Sequence, residues 1–261
     1  MPQTSTVAKA WFEPGHPDEI LSPALLVYPL RVEENIRRMI SLAGSADRLR
    51  PHVKTHKMSA IVRLKMKHHI SKFKCSTLAE VEMAAQCGGS DILLAMQPAG
   101  PQISSYFLLQ QRYPNSRISV IADHADVIRQ LSDQAAFNRQ VAGVWLDINN
   151  GMNRTGVKPG KKAIDLYRLI CKMPQIEPRG LHVYDGHIHH QDPVERKKVT
   201  ENGFAPVTVM VRTLGKEGLP VPAIVAGGTP TFPVYAAHPE VEASPGTLVL
   251  WDAGYSESFP F

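Results

Sequence analysis

Lys72 to Met96 reads KFKCSTLAEVEMAAQCGGSDILLAM. A short run (KFKCS, 72–76) leads into a stretch of helical spacing (TLAEVEMAAQCGG, 77–89) that closes on two glycines. A second apolar run (DILLAM, 91–96) follows. Short apolar runs bounded by turn residues suit buried strands, and a glycine pair suits the end of a helix. Two strands joined by a helix imply parallel pairing with a crossover.

The alternation continues in both directions. RPHVK (50–54) lies upstream. Downstream come RISVIAD (117–123), VAGVWLDIN (141–149), RGLHVYD (179–185), PAIVAGG (222–228) and GTLVLWD (246–252), with helical patterns between them. Eight such units over roughly 220 residues predict an α/β fold, a (β/α)8 TIM-type barrel. An open doubly wound sheet is the rival for the same alternation. One further strand candidate, PALLVY (23–28), precedes the barrel without an evident partner. After it, Val32, Ile36, Met39 and Ile40 recur at helical spacing.

The composition narrows the function. The 261 residues are 43% hydrophobic and 20% charged, with a net charge of +5, as in a soluble globular protein. Basic residues form no long block, so nucleic-acid binding is not indicated, and a phosphorylated or carboxylate ligand suits the mild positive charge. Cys75, Cys87 and Cys171 lack any Cys-x-x-Cys spacing, which disfavours a zinc ribbon or redox motif and suits a cytoplasmic setting. The first nineteen residues carry no apolar core of a signal peptide. No apolar run approaches the ~20 residues that span a membrane.

A barrel of this kind places its chemistry at the C-terminal ends of the strands, and the polar density of the chain falls there. RPHVKTHK (50–57) ends the first candidate strand. There a lysine in the barrel mouth, with Arg50, His52 and His56 supplying charge or hydrogen bonds, would have a lowered pKa and a nucleophilic amine. Lys54 is that candidate. After the seventh run, AGGTPT (226–231) offers Gly227, Gly228 and Thr229 to an anion, and SPGT (244–247) offers more amides. In NNGMNRTG (149–156), Arg154 suits a phenolate or carboxylate. HVYDGHIHH (182–190) has four histidines, but their spacing lacks a companion Cys or Glu-x-x-His, so a base or hydroxyl-binding histidine is favoured over a metal. Tyr184 suits contact with an aromatic cofactor or proton transfer. A lysine, a phosphate cup and an arginine at one mouth fit pyridoxal 5′-phosphate.

Together RPHVKTHK, GMNRTG, YDGH, AGGTPTFP and PGTLVLWDAGY resemble the D-threonine aldolase and D-serine dehydratase-like family. These are pyridoxal-phosphate enzymes with an alanine-racemase type of barrel. The resemblance runs from about residue 23 to 255. It implies that Lys54 forms the Schiff base, with His52 beside it, that Arg154 meets the phenolic side of the ring, and that Tyr184 flanks it. Gly228, Thr229, Gly246 and Thr247 would hold the phosphate. His190 matches the histidine that family aldolases place near the substrate hydroxyl, although DGHIHH departs from the commoner QGSAQH. The implied reaction is retro-aldol cleavage of a D-3-hydroxy amino acid to glycine and an aldehyde. D-Serine-type elimination, racemisation and a non-catalytic cofactor-binding barrel are the alternatives. The family also carries a C-terminal β-domain with a divalent metal (Mn, Mg or Zn), and the resemblance allows a homodimer. The expected organisation is therefore an N-terminal segment and strand (1–29) that pairs with a β-domain absent from this chain, a cofactor barrel (30–255), and the start of a truncated C-terminal region (256–261).

Overall fold

A computed structural model describes residues 10–219 and 221–259. Seven parallel strands form one sheet in chain order: β1 (Lys72–Cys75), β2 (Asp91–Leu94), β3 (Arg117–Ala122), β4 (Ala142–Ile148), β5 (Ile176–Val183), β6 (Ile224–Ala226) and β7 (Val241–Ala243). The sheet curls until its edges meet across residues 49–53. Leu49 bridges Ala243 of β7, and His52 bridges Lys74 of β1. The Arg50 and His52 N–H groups donate to the carbonyls of Ala243 and Pro245, and the Val53 N–H to that of Lys74. The barrel thus has eight staves. The first is held by isolated bridges because Pro51, facing β1, has no N–H to give the ladder.

Helices α1 (Pro29–Ala43), α2 (Ser59–Lys67), α3 (Leu78–Gln86), α4 (Pro101–Arg112), α5 (Ala125–Asn138), α6 (Lys161–Lys172), α7 (Pro193–Lys216) and α8 (Phe232–Ala236) alternate with the staves, and α9 (Ala253–Ser258) follows β7. The local causes are visible in α1 and α3. Proline at N1 starts α1, Val32, Ile36, Met39 and Ala43 bury one face, and left-handed Gly44 (φ 81°) ends it. Thr77 caps α3 by accepting the Glu80 N–H, while the Glu80 carboxylate accepts the Ser76 N–H at 2.7 Å.

Three expectations change. GTLVLWD (246–252) is not a strand: a 3-10 turn spans Thr247–Val249, and the last stave is Val241–Ala243 instead. PALLVY forms no strand. That segment is irregular, with Leu25 75% exposed, and the Tyr28 hydroxyl donates back to the Phe12 carbonyl. Arg50 does not serve Lys54. It points to the opposite end of the barrel.

That end is filled with charge. Arg50, 1% exposed, reaches Asp91 of β2 at 2.7 Å and Glu242 of β7 at 2.7 Å. Arg117 and Arg179 also meet Asp91, each at 2.7 Å, and Lys72 meets Glu242. Above this layer Leu93, Ile121, Trp145 and Val225 form a separate apolar plug. Trp145 donates to Ser119 Oγ at 2.9 Å. The guanidinium carbons of Arg50 and Arg179 lie 5.3 and 5.8 Å from its ring centre. Strand periodicity then puts the inward residues two positions further on, Asp123 and Asp147, at the mouth. No described helix is long and apolar enough to cross a membrane.

Burial alone would raise the Asp91 carboxyl, but Arg50, Arg179 and Arg117 hold it down at about 2. Its contribution to stability is therefore full above its unfolded pKa of ~3.9 and is lost as pH falls toward about 2. Asp91→Ala removes the carboxylate that three arginines share and is expected to cost about 3–5 kcal/mol in chemical denaturation near neutral pH, with the acid-dependent part removed. A loss below ~1 kcal/mol would show that the network does not hold the barrel.

Candidate active site

Two connected hollows open at the C-terminal end of the staves. The larger, about 430 Å³, is lined by Lys54, Lys74, Asp123, Asp147, Arg154 and His182 among others. The smaller, about 110 Å³, is a cup walled by Gly228, Thr229, Ser244, Gly246 and Thr247. His52, Lys54, Lys74 and Tyr184 line both and form the wall between them.

Lys54 projects from the turn that ends the first stave and is exposed at the mouth. Partial burial, then Arg154, lower its pKa, while Glu80 opposes them. The neighbouring histidines supply no positive charge. The Nδ1 of His52 accepts the Lys54 N–H at 3.2 Å and its Nε2 lies 3.2 Å from Ser76 Oγ. Burial, then Lys74, drives the His52 pKa far down, so the ring is neutral. Burial, then Lys65, likewise holds His56 at about 3. The cations around Lys54 are Arg154 and a residue that sequence reading passed over, Lys74.

Lys74 is 2% exposed. Burial, then the Lys54 ammonium, push its pKa down to about 7. Its position follows from alternation along β1: Phe73 and Cys75 pack toward the helices, so Lys74 faces the lumen. Tyr184 stands among three cations. The Arg154 guanidinium carbon is 4.9 Å from its ring centre, Lys74 Nζ 5.3 Å and Lys54 Nζ 5.6 Å.

Asp147 was also missed, and His182 was read only as one of the four histidines of HVYDGHIHH. They are paired across β4 and β5 and bonded at 2.7 Å through His182 Nδ1 and Asp147 Oδ1. Both are 3% exposed. A carboxylate beside Nδ1 fixes the proton there and leaves Nε2 an acceptor. His182 Nε2 and Asp147 Oδ2 are buried without a hydrogen-bond partner, in residues that line the larger hollow. Buried polar atoms without partners call for a ligand or water. An aspartate in the otherwise apolar β4 (AGVWLDI) and a histidine between Leu181 and Val183 at the end of β5 were the available signal.

The loop carrying Arg154 is pinned at both ends. Asn149 Oδ1 accepts the Gly151 and Asn153 N–H groups at 3.1 and 3.0 Å, and Asp123 Oδ2 accepts the Gly156 N–H at 2.7 Å. In the cup, Thr229 Oγ1 accepts the Gly246 and Thr247 N–H groups at 3.1 and 3.0 Å. Its own hydroxyl proton is thereby left for another acceptor. A Cβ on Gly246 would lie 3.2 Å from Thr55 Oγ1 and 3.4 Å from His52 Cβ, and one on Gly228 would lie 3.3 Å from the Tyr184 ring. These glycines keep the cup open. The four residues expected at the phosphate thus come together. His190 does not join them: its Nε2 faces Glu195 at 4.0 Å, and His189 lines the cup instead. Among the described residues no group of three His, Cys, Asp or Glu side chains is placed to hold a metal ion.

The fold and site define a closed parallel barrel with a cup of backbone N–H groups and a hydroxyl beside a lysine of lowered pKa. More particularly, the chain belongs to the family of the alanine racemase N-terminal domain, whose model matches residues 29–252. It is 27% identical over 243 residues to a 3-hydroxy-D-aspartate aldolase of Paracoccus denitrificans (strain Pd 1222), covering 91% of this chain and 62% of that protein. It is 27% identical over 220 residues to a D-threo-3-hydroxyaspartate dehydratase of Delftia sp. (strain HT23), covering 80% and 56%. The crystal structure of D-threonine aldolase from Filomicrobium marinum superposes with a TM-score of 0.86 at 28% identity, covering 93% of this chain and 66% of that one. The chain spans just under two thirds of the length of these relatives, or less.

Because the Lys54 ammonium depresses Lys74, Lys54→Met is expected to raise the Lys74 pKa above about 7. Titration of isotope-labelled lysine side chains by NMR reads this directly, and an unmoved Lys74 resonance would refute the coupling.

Proposed function

We propose that the barrel binds pyridoxal 5′-phosphate and serves a lyase acting on D-3-hydroxy amino acids, most nearly a retro-aldol cleavage to glycine and an aldehyde. The observation that carries this reading is the shared wall: Lys54, an amine of lowered pKa, stands between a cup built for an anion and a chamber with unpartnered acceptors. The similarity to two aldolases and a dehydratase supports the substrate class.

The residues present fit the cofactor. Its phosphate would be held by the Thr229 hydroxyl, Gly228, Gly246 and Thr247. Lys54 would bind its carbonyl carbon, Arg154 its phenolic oxygen, and Tyr184 and His52 its ring. When bound, the cofactor supplies an electron sink for charge developing at the substrate Cα. The chain's part is to lower the pKa of the Lys54 amine, a role for partial burial and Arg154. His182 Nε2, oriented by Asp147, is placed to take or return a proton in the chamber. The 3% exposure of both residues keeps that step away from bulk water. The divalent metal of the resemblance has no ligand set among the described residues.

The dehydratase similarity favours elimination as the second reading, and the product separates the two: glycine with an aldehyde, or ammonia with a keto acid.

Lys54→Ala is expected to abolish the visible absorbance of bound pyridoxal phosphate and its fixation by borohydride, with the thermal midpoint nearly unchanged. Retained absorbance in the folded variant would overturn the assignment. With D-threonine, D-3-hydroxyaspartate and manganese supplied, released glycine supports the aldolase reading and ammonia the dehydratase.

A further inference from the structure

A second buried lysine lies behind the Lys54 turn. Lys65 of α2 is 0% exposed, and its Nζ lies 3.2 Å from Nε2 of His56, itself 8% exposed. His56 Nδ1 accepts the Met58 N–H at 3.1 Å. A neutral imidazole has one N–H. With Nδ1 accepting, the proton sits on Nε2, which must donate. An ammonium has no lone pair to receive that proton, so the contact requires Lys65 as the neutral amine. The surroundings agree. Burial brings Lys65 to about 7 against a small opposing effect of Cys75, and burial, then Lys65, brings His56 to about 3. The titratable groups facing Lys65 are Cys75 from β1, His52 from the first stave and His56 from the turn. On the helices packed against α2, Glu80 of α3 holds the Ser76 N–H, and Glu33 of α1 pairs with Arg37 and His68.

His56 belongs to the turn that presents Lys54. The His56 and Lys57 N–H groups both donate to the Val53 carbonyl, at 3.2 and 2.9 Å, and Lys57 takes the left-handed conformation (φ 48°). We infer that His56 and Lys65 are positioning residues for Lys54: the neutral Lys65 amine accepts the His56 Nε2–H and fastens the turn that aims Lys54 at the cavity. This rests on the proposed role of Lys54. The pair also makes the fastening depend on pH. A protonated Lys65 can be accepted by Nε2 only if the imidazole proton moves to Nδ1, and Nδ1 then cannot accept the Met58 N–H. One of the two bonds is lost whenever Lys65 carries a proton.

Two variants test this. Lys65→Gln supplies a non-titrating acceptor for Nε2–H, and Lys65→Met fills the space without one. Each protein is treated with pyridoxal phosphate and borohydride, and the label at Lys54 is measured by peptide mass analysis. Lys65→Gln should match the wild type at about pH 8 and exceed it several-fold at about pH 6, where the wild-type pair is broken. Lys65→Met should label several-fold less than the wild type at about pH 8. Superimposed wild-type and Gln profiles, or full labelling of the Met variant, would overturn the proposal. A second readout does not need the cofactor. The folded-state pKa of Lys65 lies below its unfolded value, so unfolding takes up a proton between about 7 and ~10.4 and stability rises with pH across that window. Lys65→Gln should lower the proton uptake on unfolding at about pH 8.5 by about one, and an unchanged uptake would refute the neutral lysine. Absence of label at Lys54 in the wild type itself, with that proton still counted, would sink the cofactor reading and leave the His56–Lys65 bond standing.

Discussion

The barrel depends on how its first stave is closed. Residues 49–53 join β7 to β1 through single bridges, since Pro51 cannot donate toward β1. Side chains make up what the backbone lacks. Arg50 leaves that stave with no solvent exposure to speak of and binds Asp91 on one side and Glu242 on the other. Arg117 from β3, Arg179 from β5 and Lys72 from β1 complete the network. Isolated surface ion pairs contribute little, but a buried carboxylate shared by three guanidinium groups is costly to break. The seam is therefore closed electrostatically.

This has a consequence for the opposite end. The stave that begins with Arg50 finishes with Lys54, so closing the seam also fixes the site lysine. The apolar layer of Leu93, Ile121, Trp145 and Val225 separates the two charge systems along the lumen. Below it, every charge is paired and the Asp91 carboxyl is held near 2. Above it, Lys74 is buried and brought to about 7, and His182 Nε2 and Asp147 Oδ2 have no partners. One end is a network of ion pairs. The other holds buried polar groups shifted or left without partners, as a functional site does.

The sequence made the alternation legible because buried parallel strands are short apolar runs between helices. It misplaced the last stave. Val241–Ala243 is only three residues long, too short to stand out, while GTLVLWD looks like a strand and is not one. There the Gly246 and Thr247 amides turn toward Thr229 and the Val249 carbonyl accepts from Asn35 of α1, contacts no local pattern announces. PALLVY, expected to pair with a β-domain outside this chain, is irregular here with Leu25 exposed. At the site, Lys54, Arg154, Tyr184 and the cup residues were legible from their place at strand ends. Lys74, Asp147 and His182 sit inside strands, where polar residues at inward positions are recognised only once register is known. His190 is not among the residues lining either hollow, and its Nε2 lies 4.0 Å from Glu195.

The density of RPHVKTHK also takes on a different meaning. Two histidines beside a lysine suggest a field of positive charge, yet both rings are neutral. His52 and His56 use the same device: Nδ1 accepts the backbone N–H two residues on, from Lys54 and from Met58. That choice commits Nε2 in each ring to donate, toward Ser76 in one case and Lys65 in the other. A charged imidazole would have no lone pair at Nδ1 and would break the turn on both sides of Lys54. The histidines therefore act as rigid neutral spacers with fixed tautomers. Positive charge reaches Lys54 from a farther element, Arg154 on the loop after β4. Geometry and electrostatics of the site lysine are thus set by different residues, the first local to the motif and the second assembled by the barrel.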